Sequence, residues 1–294
     1  MIRTSQLTKQ YGSTTALAGV DLEVPEGVVF GLVGPNGAGK TTLIAILAGL
    51  RRASSGDYRI DAPPNRIAVL ADTPSFDPWL TGTEIVDLAR HLADPDIPAS
   101  RVEEVLDTAG LSDVAARRVG GYSRGMLQRL GLATTVVGDP LVLLLDEPAS
   151  ALDPIGRREV LDLLAATRDR ATVVFSSHIL NDVEQVCDRV GVLSKGRLRY
   201  QGSLSDLRTR AGGARLMIEV SSPIDPVTAA LTGAGWARDI TSERFIIRAE
   251  VTDVAIASRE VAALLASADA SVVAVSFRPP DLESSFLRLM EEEG

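Results

Sequence analysis

Apolar positions along the 294-residue chain fall into short runs with two different periods. The run VVFGLVG, Val28 to Gly34, is β-branched and enters a glycine loop, and KTTLIAILAGL after it has apolar residues at helical spacing, which predicts strand, loop and helix in succession. Ahead of it, IRTSQLTKQYG and TALAGVDLEV alternate well enough to predict the strands of a small sheet. A polar, proline-bearing stretch runs from Arg51 to Pro64, followed by a strand at RIAVLAD, Arg66 to Asp72. From Leu80 to about Gly138 the pattern turns helical, with TGTEIVDLARHLAD opened by a Thr/Glu capping signal and ASRVEEVLDTAGL following. Strand character returns at PLVLLLDEP and ATVVFSSH with the helical IGRREVLDLLAATRD between them, a βαβ crossover that requires a parallel sheet.

After VGVLSKGRLRYQG and the helical SLSDLRTRA, Gly212 and Gly213 read as a joint. Beyond it the pattern predicts a strand at RLMIEV, a helix at DPVTAALTGAG, strands near ARDI and RFIIRAE, a helix at DVAIASREVAALLASAD, a strand at SVVAVSF and a terminal helix from Asp281. Such alternation predicts a small α+β unit of ferredoxin-like character. The expected class is therefore α/β, a doubly wound domain over residues 1–211 with a helical insert at about 73–138, and an accessory α+β domain over 212–294.

With 45% hydrophobic and 23% charged residues, the chain can bury one medium core and a smaller second one. Its net charge of −9 speaks against a nucleic-acid partner. Cys187 is the single cysteine, which rules out an internal disulfide framework or a cysteine metal cluster and points to a reducing cytosol. The N-terminal MIRTSQLTKQYGS has no apolar core of a secretory signal, and the purest apolar run, LVLLL at Leu141 to Leu145, has only the length of a strand. Work at a membrane would need another chain to do the spanning.

The stretch GPNGAGKTT supplies candidate chemistry: Gly34, Pro35, Asn36, Gly37, Ala38, Gly39, Lys40, Thr41 and Thr42. Glycines let backbone N–H groups converge on phosphate oxygens, Lys40 places a charge on the β and γ phosphates, and the Thr41 hydroxyl suits Mg²⁺. LVLLLDEP is its natural partner, an apolar strand that carries Asp146 to its carboxyl end for a second Mg²⁺ contact. With Asp146 committed to the ion, Glu147 is the carboxylate left to activate a water. ATP and Mg²⁺ are the expected ligands.

Together with SALD at Ser150 to Asp153, SSH ending at His178 and the intervening YSRGMLQRLGLA, these motifs resemble the ATP-binding-cassette (ABC) family in order and spacing over about the first 210 residues. The resemblance implies a P-loop ATPase fold with a RecA-like core, an N-terminal antiparallel β subdomain and a helical subdomain bearing the signature sequence. It implies that Ser123 and Gly125 close over the phosphate held by a second copy of the chain. It further implies that Tyr11 stacks on adenine, that His178 contacts the γ-phosphate and that Asp153 links the two sites of the dimer. Two departures stand out. Asp72 occupies the place where many members have a glutamine, which implies that magnesium contact and coupling to a membrane partner are made differently or through water. Arg124 replaces the first glycine of the signature, where it either obstructs or pairs with phosphate, and Met126 replaces its glutamine.

One cassette without a membrane span resembles the detachable ATPase subunit of a transporter, peripheral at the cytoplasmic face of the plasma membrane through a permease on a separate chain. Asp72 to Trp79, DTPSFDPW, is the expected contact loop, with Phe76 and Trp79 either docking groups or ordinary core aromatics. The ending RPPDLESSFLRLMEEEG resembles that of ATPases from type-2 exporters of drugs, antibiotics or lipids. The alternative is a cytosolic ABC ATPase that remodels a complex without transporting.

Overall fold

The computed structural model describes residues 1–210, 214–221 and 223–278, together with 282, 283, 286 and 289. By internal contacts the chain divides into Met1–Leu204 and Ser205–Gly294. The first unit runs β1 (Ile2–Tyr11), β2 (Thr14–Val20), β3 (Glu23–Val24), β4 (Val29–Val33), α1 (Lys40–Leu47), β5 (Ser55–Ile60) and β6 (Ile67–Leu70). It continues with α2 (Gly82–Ala93), α3 (Ser100–Thr108), α4 (Arg124–Val136), β7 (Val142–Leu145), α5 (Pro154–Ala166), β8 (Thr172–Ser177), α6 (Leu180–Val186), β9 (Arg189–Ser194) and β10 (Arg197–Ser203).

Strands β4 and β7 are apolar and buried at every position. Such strands have no solvent face and settle in the middle of a parallel sheet covered on both sides. They do so here, in a six-stranded sheet of order β10-β9-β4-β8-β7-β6 whose strands run parallel except for β10. Val33 pairs with Ser177 and Leu145 with Phe175, so β4, β8 and β7 end together at one edge. Loops at the carboxyl ends of central parallel strands are where ligands bind in open α/β sheets.

The polar stretch from Arg51 to Pro64, for which no element was expected, contains a strand. β5 pairs antiparallel with β1, Ile2 with Ile60 through Thr8 with Ser55, in a second sheet that also holds β2 and β3. Five of its six positions are exposed, so backbone hydrogen bonds rather than apolar burial hold it. The helical stretch is also more interrupted than its periodicity suggests: Pro95 and Pro98 separate α2 from α3, and a loop with Gly110, Gly120 and Gly121 separates α3 from α4. The Thr81 hydroxyl accepts from the Glu84 N–H and the Glu84 side chain accepts from the Thr81 N–H, the capping box expected at the start of α2. These three helices enclose their own cluster, including Val86, Val105, Leu106, Leu111 and Leu130.

Helix α7 (Leu204–Arg210) crosses the division between the units. The second unit then runs β11 (Ala214–Val220), α8 (Asp225–Thr232), β12 (Ala237–Glu243), β13 (Ile246–Val251), α9 (Val254–Ser267) and β14 (Val272–Arg278). Its antiparallel sheet has the order β12-β13-β11-β14, the split βαβ arrangement of ferredoxin-like units. Leu216, Ile218 and Ile247 from the sheet and Val227, Leu231 and Val261 from the helices form its separate core. The expected joint at Gly212 and Gly213, and most of the expected terminal helix from Asp281, lie outside the described residues. Among the described residues no helix is long and apolar enough to cross a membrane.

Candidate active site

The loop after β4 is shaped by close approach. A Cβ on Gly34 would stand 2.2 Å from the Leu193 carbonyl oxygen, and Gly39 has φ of 107° with its missing Cβ aimed 2.5 Å from the Ala16 carbonyl oxygen. Neither position admits a side chain. Pro35, Asn36 and Gly37 are exposed, Ala38 is buried, Thr41 is exposed and Thr42 half-buried. Helix α1 starts at Lys40 with no side-chain cap, which leaves first-turn N–H groups open to an anion.

Lys40 is only 7% exposed. Its ammonium donates to the carbonyls of Gly34, at 2.7 Å, and Pro35, at 3.3 Å, and stands 3.9 Å from Glu147 Oε1. Burial pulls its pKa below the ordinary lysine value, and the Glu147 and then the Asp146 carboxylates partly oppose that shift. The lysine is thus held by weak acceptors in a place where a phosphate would stabilise its charge.

Asp146 follows β7 and is 3% exposed. Ser176, at the end of β8, donates its hydroxyl to Asp146 Oδ1 at 2.6 Å and accepts the Glu147 backbone N–H at 2.8 Å. Glu147 has φ of 47°, in the left-handed region, where a non-glycine residue costs about 1–3 kcal/mol unless its surroundings enforce it. Its Oε2 lies 2.9 Å from His178 Nδ1. A carboxylate only accepts, so Nδ1 carries the proton in this contact. Buried Gln128 of α4 donates to the Pro148 carbonyl at 3.1 Å and anchors the turn after Glu147.

Lys40, Asp146, Glu147 and His178 therefore form one cluster, drawn from three segments: the start of α1, the turn after β7 and the end of β8. Asp72 joins its margin: Ser150 Oγ donates to Asp72 Oδ1 at 3.2 Å. Asp153 caps α5 by accepting the Gly156 N–H at 2.8 Å. The Ser123 hydroxyl caps α4 by accepting the Met126 N–H at 3.2 Å, and a Cβ on Gly125 would meet Leu152 at 3.4 Å. Arg124 is exposed beside them. Tyr11, at the end of β1, is 40% exposed, with Lys9 Nζ 5.0 Å and the Arg51 guanidinium 5.8 Å from its ring centre. None of the hydrogen bonds or ring contacts described for Ser123, Gly125 and Tyr11 reaches the Lys40 cluster. Ser176 and Gln128 are the site residues that sequence reasoning missed: one is a small polar residue in an apolar strand, the other a buried glutamine in a helix. Only strand register and packing reveal what either one touches.

An uncapped helix end beside a buried ammonium, with a carboxylate held by an imidazole, is suited to binding a polyphosphate and activating water against it. The family model described as "ABC transporter" matches residues 17–150. The chain is 40% identical over 228 residues to the "Uncharacterized ABC transporter ATP-binding protein all4389" of Nostoc sp. strain PCC 7120, covering 70% of this chain and 68% of that protein. It is 33% identical over 300 residues to the "Daunorubicin resistance ATP-binding protein DrrA3" of Streptomyces coeruleorubidus, covering 97% and 94%. Among solved structures, the dimeric post-hydrolysis state of the ATP-binding cassette MJ0796 bound to ADP and Pi matches with a TM-score of 0.65 at 25% identity, over 69% of this chain and 99% of that one. The chain belongs to the ABC transporter ATP-binding proteins, the ATP-hydrolysing subunits that power transport.

Proposed function

We propose that the chain holds Mg-ATP on Gly34 to Thr42 and drives a type-2 exporter of drugs, antibiotics or lipids through a permease on a separate chain. The observation that carries this reading is the cluster of Lys40, Glu147 and His178 beside Asp146. In it Lys40 exchanges the Gly34 and Pro35 carbonyls for phosphate oxygens, and Tyr11 offers its ring to adenine. Glu147 takes the proton of the attacking water while His178 fixes the carboxylate and reaches toward the γ-phosphate.

The donors available for Mg²⁺ are hard oxygens, the Thr41 hydroxyl and the Asp146 carboxylate, with Asp72 contributing directly or through water. Among the described residues no group of three or more His, Cys, Asp or Glu forms a self-sufficient metal site, which suits an ion completed by phosphate and water. When bound, Mg²⁺ neutralises charge on the β and γ oxygens.

Ser123 and Gly125 serve the phosphate of a second copy, and Asp153 connects the two sites. Two copies sandwich two nucleotides, their closure pulls on the permease, and hydrolysis reopens them. Support for the trans role comes from the signature segment itself: Ser123 and Arg124 stand exposed at the start of α4. Permease docking at Asp72 to Trp79 is supported by Trp79, 73% exposed with the Arg118 guanidinium 5.8 Å from its ring centre. Through that partner the protein is peripheral to the cytoplasmic face of the membrane. Likeness to DrrA3 over nearly the whole chain favours export over a complex-remodelling role.

The test is export itself. In cells that express the chain with a permease of about six spans encoded beside its gene, Lys40→Ala should abolish drug efflux while the two proteins still co-purify. Efflux at the unsubstituted level would contradict the proposal.

A further inference from the structure

Two serines end β8, and successive strand residues point to opposite faces, so only one can meet Asp146. Ser177 turns to its own loop, accepting the Ile179 N–H at 3.0 Å and donating to Asp182. Ser176 is fully buried and stands between the two halves of the site, paired with Leu32 of β4 and one residue beyond the Leu145–Phe175 pair of β7 and β8. The Glu147 N–H can only donate, so it points at an Oγ lone pair, which leaves the single hydroxyl proton for Asp146 Oδ1. One atom is thereby bonded to both acidic residues. The left-handed backbone at Glu147 would relax toward ordinary conformations without something to enforce it, and the N–H bond to Ser176 acts on that same peptide.

We propose that Ser176 is a positioning residue for hydrolysis, fixing the metal-side carboxylate of Asp146 and the water-side carboxylate of Glu147 in one relative placement. This rests on the assignment of Glu147 as the base and of Asp146 as a Mg²⁺ ligand. The hydrogen bonds of the fully buried Ser176 hydroxyl go to Asp146 and Glu147, so it acts through them. Its loss should leave nucleotide binding intact, slow turnover and raise the Mg²⁺ demand.

The test compares Ser176→Ala, Ser176→Thr and Glu147→Gln in the full-length chain, reading ATP turnover against Mg²⁺ concentration, ATP affinity and melting temperature. Ser176→Ala should lose about 10–100-fold in kcat, the range for partners that orient an active-site ligand. Its KM for ATP should stay near the unsubstituted value and its half-saturating Mg²⁺ should rise. Ser176→Thr, which keeps the hydroxyl, should restore most of the rate. Should Ser176→Ala fail to fold, Ser176→Cys, with similar volume and a much weaker hydrogen-bonding group, carries the same expectation. A kcat within about twofold of the unsubstituted chain, equal losses in folded Ala and Thr variants, or a loss confined to KM would overturn the inference. If Ser176→Ala is unaffected while Glu147→Gln is inactive, the inference fails and the functional reading stands. If Glu147→Gln turns over normally, the functional reading itself fails.

Discussion

At the scale of single residues, burial separates the reactive groups from the inert ones. Lys40 and Cys187 both lie deep in the nucleotide-binding unit, but Lys40 faces two carboxylates and carbonyl oxygens, whereas Cys187 packs beside Val183 and Gly31. Burial pushes the Cys187 thiol well above its ordinary pKa, with Asp188 adding to the shift, so the neutral form persists where free thiols begin to ionise. A disulfide reagent at mildly alkaline pH should therefore leave the folded chain unlabelled and modify the one thiol after denaturation. Rapid labelling of the folded chain would contradict this burial. The motif residues were legible because their chemistry demands particular types in a fixed order: glycine where no Cβ fits, lysine and threonine after the loop, paired acids after an apolar strand. Ser176 was illegible because its importance lies in a hydroxyl 2.6 Å from a carboxylate 30 positions away in sequence.

At the scale of elements, close packing fixes where the loop can sit. A Cβ on Gly31, in the middle of β4, would lie 2.7 Å from Val183 of α6 and 2.8 Å from the Cys187 sulfur. Helix α6 therefore packs directly on the strand that delivers the phosphate loop. Gly31→Ala should destabilise the chain by about 1–3 kcal/mol through overpacking. A urea melt should show a lower midpoint with an unchanged slope, and a midpoint equal to the original would refute the contact. Strands β4, β7 and β8 were readable because all three are buried and rich in Val, Leu and Phe. Strand β5 was not, since SGDYRI carries no apolar alternation and its place comes from backbone pairing to β1. Helix α6, seven residues long, is too short for a periodic signal and had no counterpart among the sequence expectations.

At the scale of the molecule, separate hydrophobic clusters among the described residues lie under the nucleotide loop, among helices α2 to α4 and in the α+β unit. Alternating strand and helix signals made the individual elements legible, and the contacts divide between Leu204 and Ser205, within the short helix α7. We propose that Lys40, Asp146, Glu147 and His178 form an ATPase site whose general base is Glu147 and which a second copy completes. The most direct measurement is phosphate release, nucleotide binding and solution mass of Glu147→Gln in the presence of Mg-ATP. ATP binding should stay close to that of the unsubstituted chain, the mass should double on adding Mg-ATP and turnover should fall to background. Turnover at the unsubstituted rate, or a chain that stays monomeric with ATP bound, would contradict the proposal.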